Sequence, residues 1–468
     1  MIDAHLLDAV LMEIMTRWDI PGLGVGIVEN GQVVYTRGFG VQSLDTATPV
    51  TPDSLFCVAS VSKCFVATAV MQLLEQGKLE LDRPLVEYLP DFCLDDDRHR
   101  QITPRQMLSH TSGMPDMDED EYDALVATPD YDDDAAARYV RSLAGRKMVA
   151  APGERFAYSN IAYNVLGHLI SRLTGLSFEA SIKTSLLVPA GMPDSTFFFP
   201  HVPRQRLAVP HLRSPELIVN PVYPYHRADA PASFLHSSVL EMCQWAITCL
   251  NDANNHGQRI LSPAGFELMW TPVVEWGFPP LYEHCGLGWT LGHYEGVKTV
   301  SHGGMGFGWS DFLTLLPERN CGAVILCNDE SWARSRTVRA VIHAMLDMPP
   351  VVGAVSWSVP LLQAYQAGGI AAMHARYGEI KDDPDTTFDA DDFIPLAYQL
   401  QSLKKDLVAI DLLDFNLHIH PDHVDSLVFL GRLHARQGNA ARAGEAFRKA
   451  LALDPGNASA AAGLGQVL

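Results

Sequence analysis

Ser60-Val61-Ser62-Lys63-Cys64-Phe65-Val66-Ala67-Thr68-Ala69-Val70 is the stretch on which the reading of this chain turns. A serine and a lysine three residues apart precede an apolar run suited to a buried helix. If the helix starts at the serine, Ser60 and Lys63 lie one turn apart on the same face. Burial disfavours an ammonium, so such a lysine loses its proton more readily and can accept one from the hydroxyl or polarise a neighbouring base. The helix N-terminus adds positive potential for a developing oxyanion. Taken alone, the SxxK tetrad is more often an ordinary surface helix start, so its meaning depends on what surrounds it.

Outward from this stretch, helical apolar spacing dominates residues 60–180, and β-rich runs stand on either side. Residues 4–18 carry Leu6, Leu7, Val10, Leu11, Ile14 and Met15 at helical spacing. Residues 23–40, LGVGIVENGQVVYTRGFG, place two strand-like runs about Asn30-Gly31, a pair that favours a type I′ hairpin turn. Residues 287–328 again read as strands: GWTLGHY, VKTVSH, WSDFLTLL and GAVILCN. Strands at both ends of a helical middle predict an α+β or α/β sandwich, with one antiparallel sheet flanked by helices and a helical subdomain.

After Met348-Pro349-Pro350 the texture changes, which bounds a first domain at 1–348. Residues 349–389 read as a linker carrying a helix over 359–378 and an acidic turn, Lys381-Asp382-Asp383-Pro384-Asp385. Residues 390–468 read as an all-α tail of tetratricopeptide-like repeats. Gly431, Gly438, Ala443, Phe447, Ala450 and Pro455 fall at that repeat's spacings, and one repeat length of 34 earlier stand Ala397, Ala409, Leu413 and Pro421. Two units fall short of the usual three, so the tail is expected to pack against something else.

Two further groups change the weight of Ser60 and Lys63. Tyr158-Ser159-Asn160 lies about 100 residues on. A tyrosine beside a lysine can be held closer to phenolate and serve as general base. The Asn160 amide can hold Lys63 and a substrate carbonyl together. Ser301-His302-Gly303-Gly304 ends an apolar run, and glycines there let a substrate pair closely with a strand edge. His302 can donate to a substrate carboxylate or to the tyrosine oxygen.

SxxK, then YxN, then a basic-residue–x–Gly triad on a late strand resembles the serine β-lactamase and penicillin-binding-protein superfamily. YSN and HGG resemble its class C branch, with the related esterases and D-amino-acid peptidases. Leu108-Ser109-His110-Thr111-Ser112-Gly113-Met114 is similar to the family's LLxHTSGL stretch, and residues 286–289 to its GLGW turn. The likeness covers roughly residues 5–345. It implies that Ser60 forms an acyl-enzyme, that Tyr158, supported by Lys63, takes the serine proton, and that Asn160, His302, Gly303 and Gly304 bind substrate. It implies an oxyanion hole of the Ser60 and Met305 backbone N–H groups. His302 stands where the family has a lysine and carries no fixed charge at pH 7. Neutral-ended substrates are therefore expected to outrun carboxylates, unless His302 gains a proton toward pH 6 or an arginine such as Arg155 or Arg227 intervenes.

The resulting expectation is a cofactor-independent serine hydrolase acting on a small ester, amide, peptide or lactam. Two alternatives stand beside it: an inactive scaffold that binds a protein through its repeats, and a penicillin-binding protein acting on cell-wall peptide. A net charge of −21 argues against a nucleic-acid footprint and an anionic membrane partner. His99, His110, His201, His211 and His226 lack ligand spacing, so no metal site is expected. His110 is expected to be a structural hydrogen-bonder near a turn. The acidic stretches Asp116–Glu121 and Tyr131–Asp134 read as solvated loops, or alternatively as lining the cleft mouth and repelling anionic substrates. Eight cysteines without a CxxC pair read as free thiols, with Cys57 and Cys64 filling core, and point to the cytoplasm. Self-association or a protein partner through the repeats is the remaining expectation.

Overall fold

The computed structural model describes residues 2–213, 216–251, 257–330, 333–383 and 385–467, so Pro384 of the acidic turn lies outside the described residues. The chain divides into two compact units, Met1–His211 with Val219–Val352, and Leu212–Ile218 with Gly353–Leu468.

The first unit is built on an eight-stranded antiparallel sheet: β1 (Gly22–Glu29), β2 (Gln32–Gly40), β3 (Val274–Phe278), β4 (Tyr282–Cys285), β5 (Thr290–Tyr294), β6 (Val297–Gly306), β7 (Trp309–Leu316) and β8 (Cys321–Cys327). Their order is β2-β1-β8-β7-β6-β5-β4-β3. The N-terminal hairpin thus joins the C-terminal strands through β1 and β8, whose register runs from Leu23 opposite Cys327 to Glu29 opposite Cys321. Asn30 and Gly31 both take positive φ, 51° and 76°, as a type I′ turn requires. The expected strands at 287–328 all form. The edge pair β3 and β4 was not among them, because its alternation is broken by Gly277, Pro279 and Pro280.

Strands β7 and β8 are buried along their whole length, since helices cover both faces. Helix α1 (Ala4–Trp18) and helix α5 (Arg334–Met345) pack together, and helix α4 (Val239–Asn251) lies on β1 and β8. Gly24 and Gly26 make that approach possible. A Cβ at Gly24 would stand 2.6 Å from Val239, and one at Gly26 2.4 Å from the Cys243 sulfur. Helix α2 (Ser62–Glu75) is buried from Ser62 through Leu73, consistent with its apolar run on every face. Helix α3 (Asn160–Thr174) packs against it, capped by the Ser159 hydroxyl, which accepts from the Ala162 N–H.

In the second unit, the expected helix over 359–378 is α6 (Ser358–Ile380), broken at Gly368 and Gly369 by non-helical backbone. Five further helices follow: α7 (Ile394–Ser402), α8 (Asp406–Ile419), α9 (Val424–Arg436), α10 (Ala440–Leu453) and α11 (Ala458–Val467). Consecutive helices pack on one another, and Gly431 is the close-approach point of α9 and α10: a Cβ there would stand 2.7 Å from the Phe447 ring.

Candidate active site

A short antiparallel pair, Leu55–Cys57 with His236–Ser238, delivers the chain to Ser60. Ser60 does not begin the α-helix. It sits in a 3₁₀ turn, Ala59–Val61, that precedes α2, and Ala59 takes φ 42° to enter that turn. The turn lifts the serine off the helix axis and keeps its side chain half-open while Lys63 is wholly buried.

Lys63 Nζ donates to three oxygens: Asn160 Oδ1 at 2.7 Å, the Ala232 carbonyl at 2.8 Å and Ser60 Oγ at 2.9 Å. Tyr158 Oη donates to Ser60 Oγ at 3.0 Å. Ser60, Lys63, Tyr158 and Asn160 are therefore brought together from residues almost 100 positions apart. His110 adopts φ 55°, accepts the Ser159 N–H at 3.1 Å on Nδ1, and stacks on the Tyr158 ring with centroids 4.2 Å apart. It holds the tyrosine from behind, as expected of a structural hydrogen-bonder.

Burial drives the electrostatics. Lys63 is pushed down to about 8 by desolvation, against the pull of Asp229 and Asp116, which favour its ammonium. Tyr158 is raised well above the ordinary phenol range by burial. Burial thus works against the phenolate-like Tyr158 that was expected, and the lysine is the group brought toward neutral pH.

Two carboxylates behind the site escaped the sequence reading. Asp116 was expected in a solvated loop, but it is half-buried and accepts from Asn160 twice, from the backbone N–H at 2.9 Å and from Nδ2 at 3.0 Å. That pins the Asn160 amide with Oδ1 toward Lys63, leaving one Nδ2 hydrogen for substrate. Asp229, fully buried, accepts from Asn164 Nδ2 at 2.6 Å and Tyr122 Oη at 2.7 Å, and burial raises its carboxyl above the usual range. The signal for Asp116 lay in the sequence, two residues beyond the HTSGM string; nothing local marked Asp229.

Strand β5 stops opposite Ser301, so β6 runs unpaired on that side from His302 onward and faces the serine turn. His302-Gly303-Gly304 lies inside β6 rather than at its end. A Cβ at Gly304 would stand 2.5 Å from the Val58 carbonyl and 3.1 Å from the Ser60 nitrogen, so only glycine lets the strand reach the nucleophile's amide. Met305 follows, with its side chain exposed. His302 is buried, and desolvation aided by Lys63 drives it down to about 3. That shift works against the proton at pH 6 under which His302 could pair with a carboxylate. Arg155 and Arg227 have other partners. Arg155 donates to the Val149 and Phe156 carbonyls, and Arg227 is paired with Glu179 and Asp133. Arg334 stands at the triad, donating from Nη1 to the Gly304 carbonyl at 3.0 Å.

All eight cysteines are free, and Cys57 and Cys64 are buried. Among the described residues, no helix is long and apolar enough to cross a membrane.

The family model described as β-lactamase matches residues 7–345. Protein flp of Staphylococcus aureus (strain COL) is 26% identical over 391 residues, which cover 80% of this chain and 76% of that protein. Penicillin-binding protein 4 of Amycolatopsis lactamdurans is 29% identical over 322 residues, covering 67% of this chain and 82% of its own length. Among solved structures, the octameric penicillin-binding protein homologue from Pyrococcus abyssi superposes with a TM-score of 0.64 at 27% identity, over 74% of this chain and 78% of that one.

Proposed function

Because this chain belongs to the β-lactamase family, whose model spans residues 7–345, and is a serine hydrolase of amide or ester bonds, we propose that Ser60 is its nucleophile and Lys63 the base that activates it. The observation that carries this reading is the trio of oxygens around Lys63 Nζ. A neutral amine has two N–H groups and one lone pair. The Asn160 and Ala232 oxygens are carbonyls and can only accept, so they take both N–H groups. The lone pair is left pointing at Ser60 Oγ, ready for its proton.

In this scheme Ser60 Oγ bonds to the substrate carbonyl carbon as its proton passes to Lys63. The carbonyl oxygen becomes an oxyanion facing the Ser60 and Met305 backbone N–H groups. The bond to the leaving group then breaks, and Tyr158 gives that group its proton. The Lys63 ammonium restores the phenol. Water attacks the ester on Ser60 by the same proton path, releasing the acid and the free serine. Asn160 and the open edge His302-Gly303-Gly304 hold the substrate. Neutral esters and amides suit the site, and Arg334 is the cation available to a carboxylate-bearing one.

We further read the second unit's helix pairs as tetratricopeptide-like repeats serving self-association or a protein partner, and the free cysteines as fitting the cytoplasm. The enzymatic reading is tested with a fluorophosphonate probe on the full chain. Covalent labelling should map to Ser60 and vanish in Ser60→Ala. Labelling that persists, or maps to Ser62 or Ser159, would overturn the assignment.

A further inference from the structure

Beside Ser60 lies a cavity of about 50 Å3, bordered by Ser60, Asn160, Tyr122, Phe234, Met305 and Phe307 among others. At ~10–15 Å3 for each water-sized occupant, it admits roughly four non-hydrogen atoms. Neither Tyr158 nor His302 borders it. That absence divides the substrate. In the scheme above the leaving group lies where Tyr158 can protonate it, which leaves this cavity, bordered by Ser60, to the acyl part.

The wall of the cavity is costly to build. It is the turn Gly306-Phe307-Gly308 between β6 and β7, and all three residues have positive φ: 143°, 58° and 98°. Glycine takes such values freely, but a bulky side chain at positive φ is a genuine outlier that persists only when its surroundings over-determine it. Here they do. Asn220 Nδ2 donates to the Phe307 carbonyl at 3.2 Å, and the Gly308 N–H donates to Glu330 Oε1 at 3.2 Å. A Cβ at Gly308 would stand 2.6 Å from the His211 carbonyl oxygen, so the turn is wedged in place. The result is an aromatic ring held at the cavity, with the Tyr122 ring centroid 4.7 Å away and that of Phe234 6.1 Å away. Phe307 is half-buried: it packs against the apolar cluster that holds Phe234 and Trp309, and it also borders the cavity.

We propose that Phe307, aimed by this strained turn and braced on Tyr122, sets the acyl-chain length that the enzyme accepts, admitting groups of about two to four carbons. The inference rests on the Ser60 reading above and adds a substrate class to it: short-chain acyl esters and amides.

The test uses the full-length protein with p-nitrophenyl acetate, butyrate and octanoate, comparing wild type with Phe307→Gly and Phe307→Leu. Glycine suits the positive φ and opens the wall, while leucine retains a side chain should the glycine variant fold poorly. Wild-type kcat/KM should fall at least tenfold from butyrate to octanoate. Phe307→Gly should raise the octanoate-to-butyrate ratio at least tenfold, with Phe307→Leu between the two. Octanoate turnover by wild type equal to that of butyrate, or an unchanged ratio in folded Phe307→Gly, would overturn the pocket assignment alone. No turnover of any ester, together with no fluorophosphonate labelling of Ser60, would overturn both readings.

Discussion

Lys63 meets three oxygens with, when neutral, only two N–H groups, and that shortage has a pH signature. Below its pKa of about 8 the ammonium has no lone pair, and the proposed base is lost. For a p-nitrophenyl ester, kcat/KM should therefore rise with pH and level off above about 8. Asp229 is the foremost charge favouring the ammonium. Asp229→Asn should move the rising limb to lower pH, a shift that general destabilisation would not produce; an unmoved limb would remove Asp229 from the account. Tyr158→Phe separates the two proton transfers. An amide needs its leaving nitrogen protonated, so a D-amino-acid p-nitroanilide should lose on the order of 10²-fold in kcat. p-Nitrophenolate leaves unprotonated, and the ester should lose less than about tenfold. Equal losses on both substrates would return the base role to Tyr158.

At the scale of elements, the site depends on how closely β6 approaches the turn before α2. Gly304 is the point of contact, with no room for a Cβ between it and the Val58 carbonyl. Gly304→Ala should push the strand away and misplace the oxyanion donors. A displacement of about 1 Å can cost roughly 10²-fold in rate, so steady-state kcat on the ester should fall by that order while the fold survives. Activity near wild type would mean that the strand yields without consequence. The same geometry explains why the glycines were visible in the sequence but their role was not. HGG reads as a strand edge, while the early end of β5 that leaves this edge open depends on pairing.

At the scale of the molecule, the second unit takes in a segment from the middle of the first unit's chain. Leu212–Ile218 lies between two segments of the first unit in sequence yet belongs to the second. There the Arg213 N–H donates to Gln399 Oε1 at 2.9 Å. A chain ending at Val352 would leave this segment without its packing partners. It should melt several degrees lower than the full chain, since about 1 kcal/mol shifts the midpoint of a domain this large by roughly 2–4 °C. Equal melting temperatures in differential scanning calorimetry would show that the segment contributes nothing to the first unit's stability.

The sequence by itself determined the elements and the chemistry-bearing types. Apolar alternation, the Asn30-Gly31 turn and the run after Lys63 are local signals, because strand pleat and helix pitch impose their periods on neighbours. Ser60, Lys63, Tyr158, Asn160 and the His302-Gly303-Gly304 edge were legible through their order and spacing. Charge state was not, since it depends on groups distant in the chain. Burial moves Lys63 toward neutral pH, raises Tyr158 and lowers His302. Asp116, Asp229 and Arg334 act through space, from loops and a helix start whose local sequence reads as solvated or unremarkable. Only the tertiary structure decided which of them face the lysine and the triad, because desolvation and Coulomb interactions follow distance in space rather than along the chain.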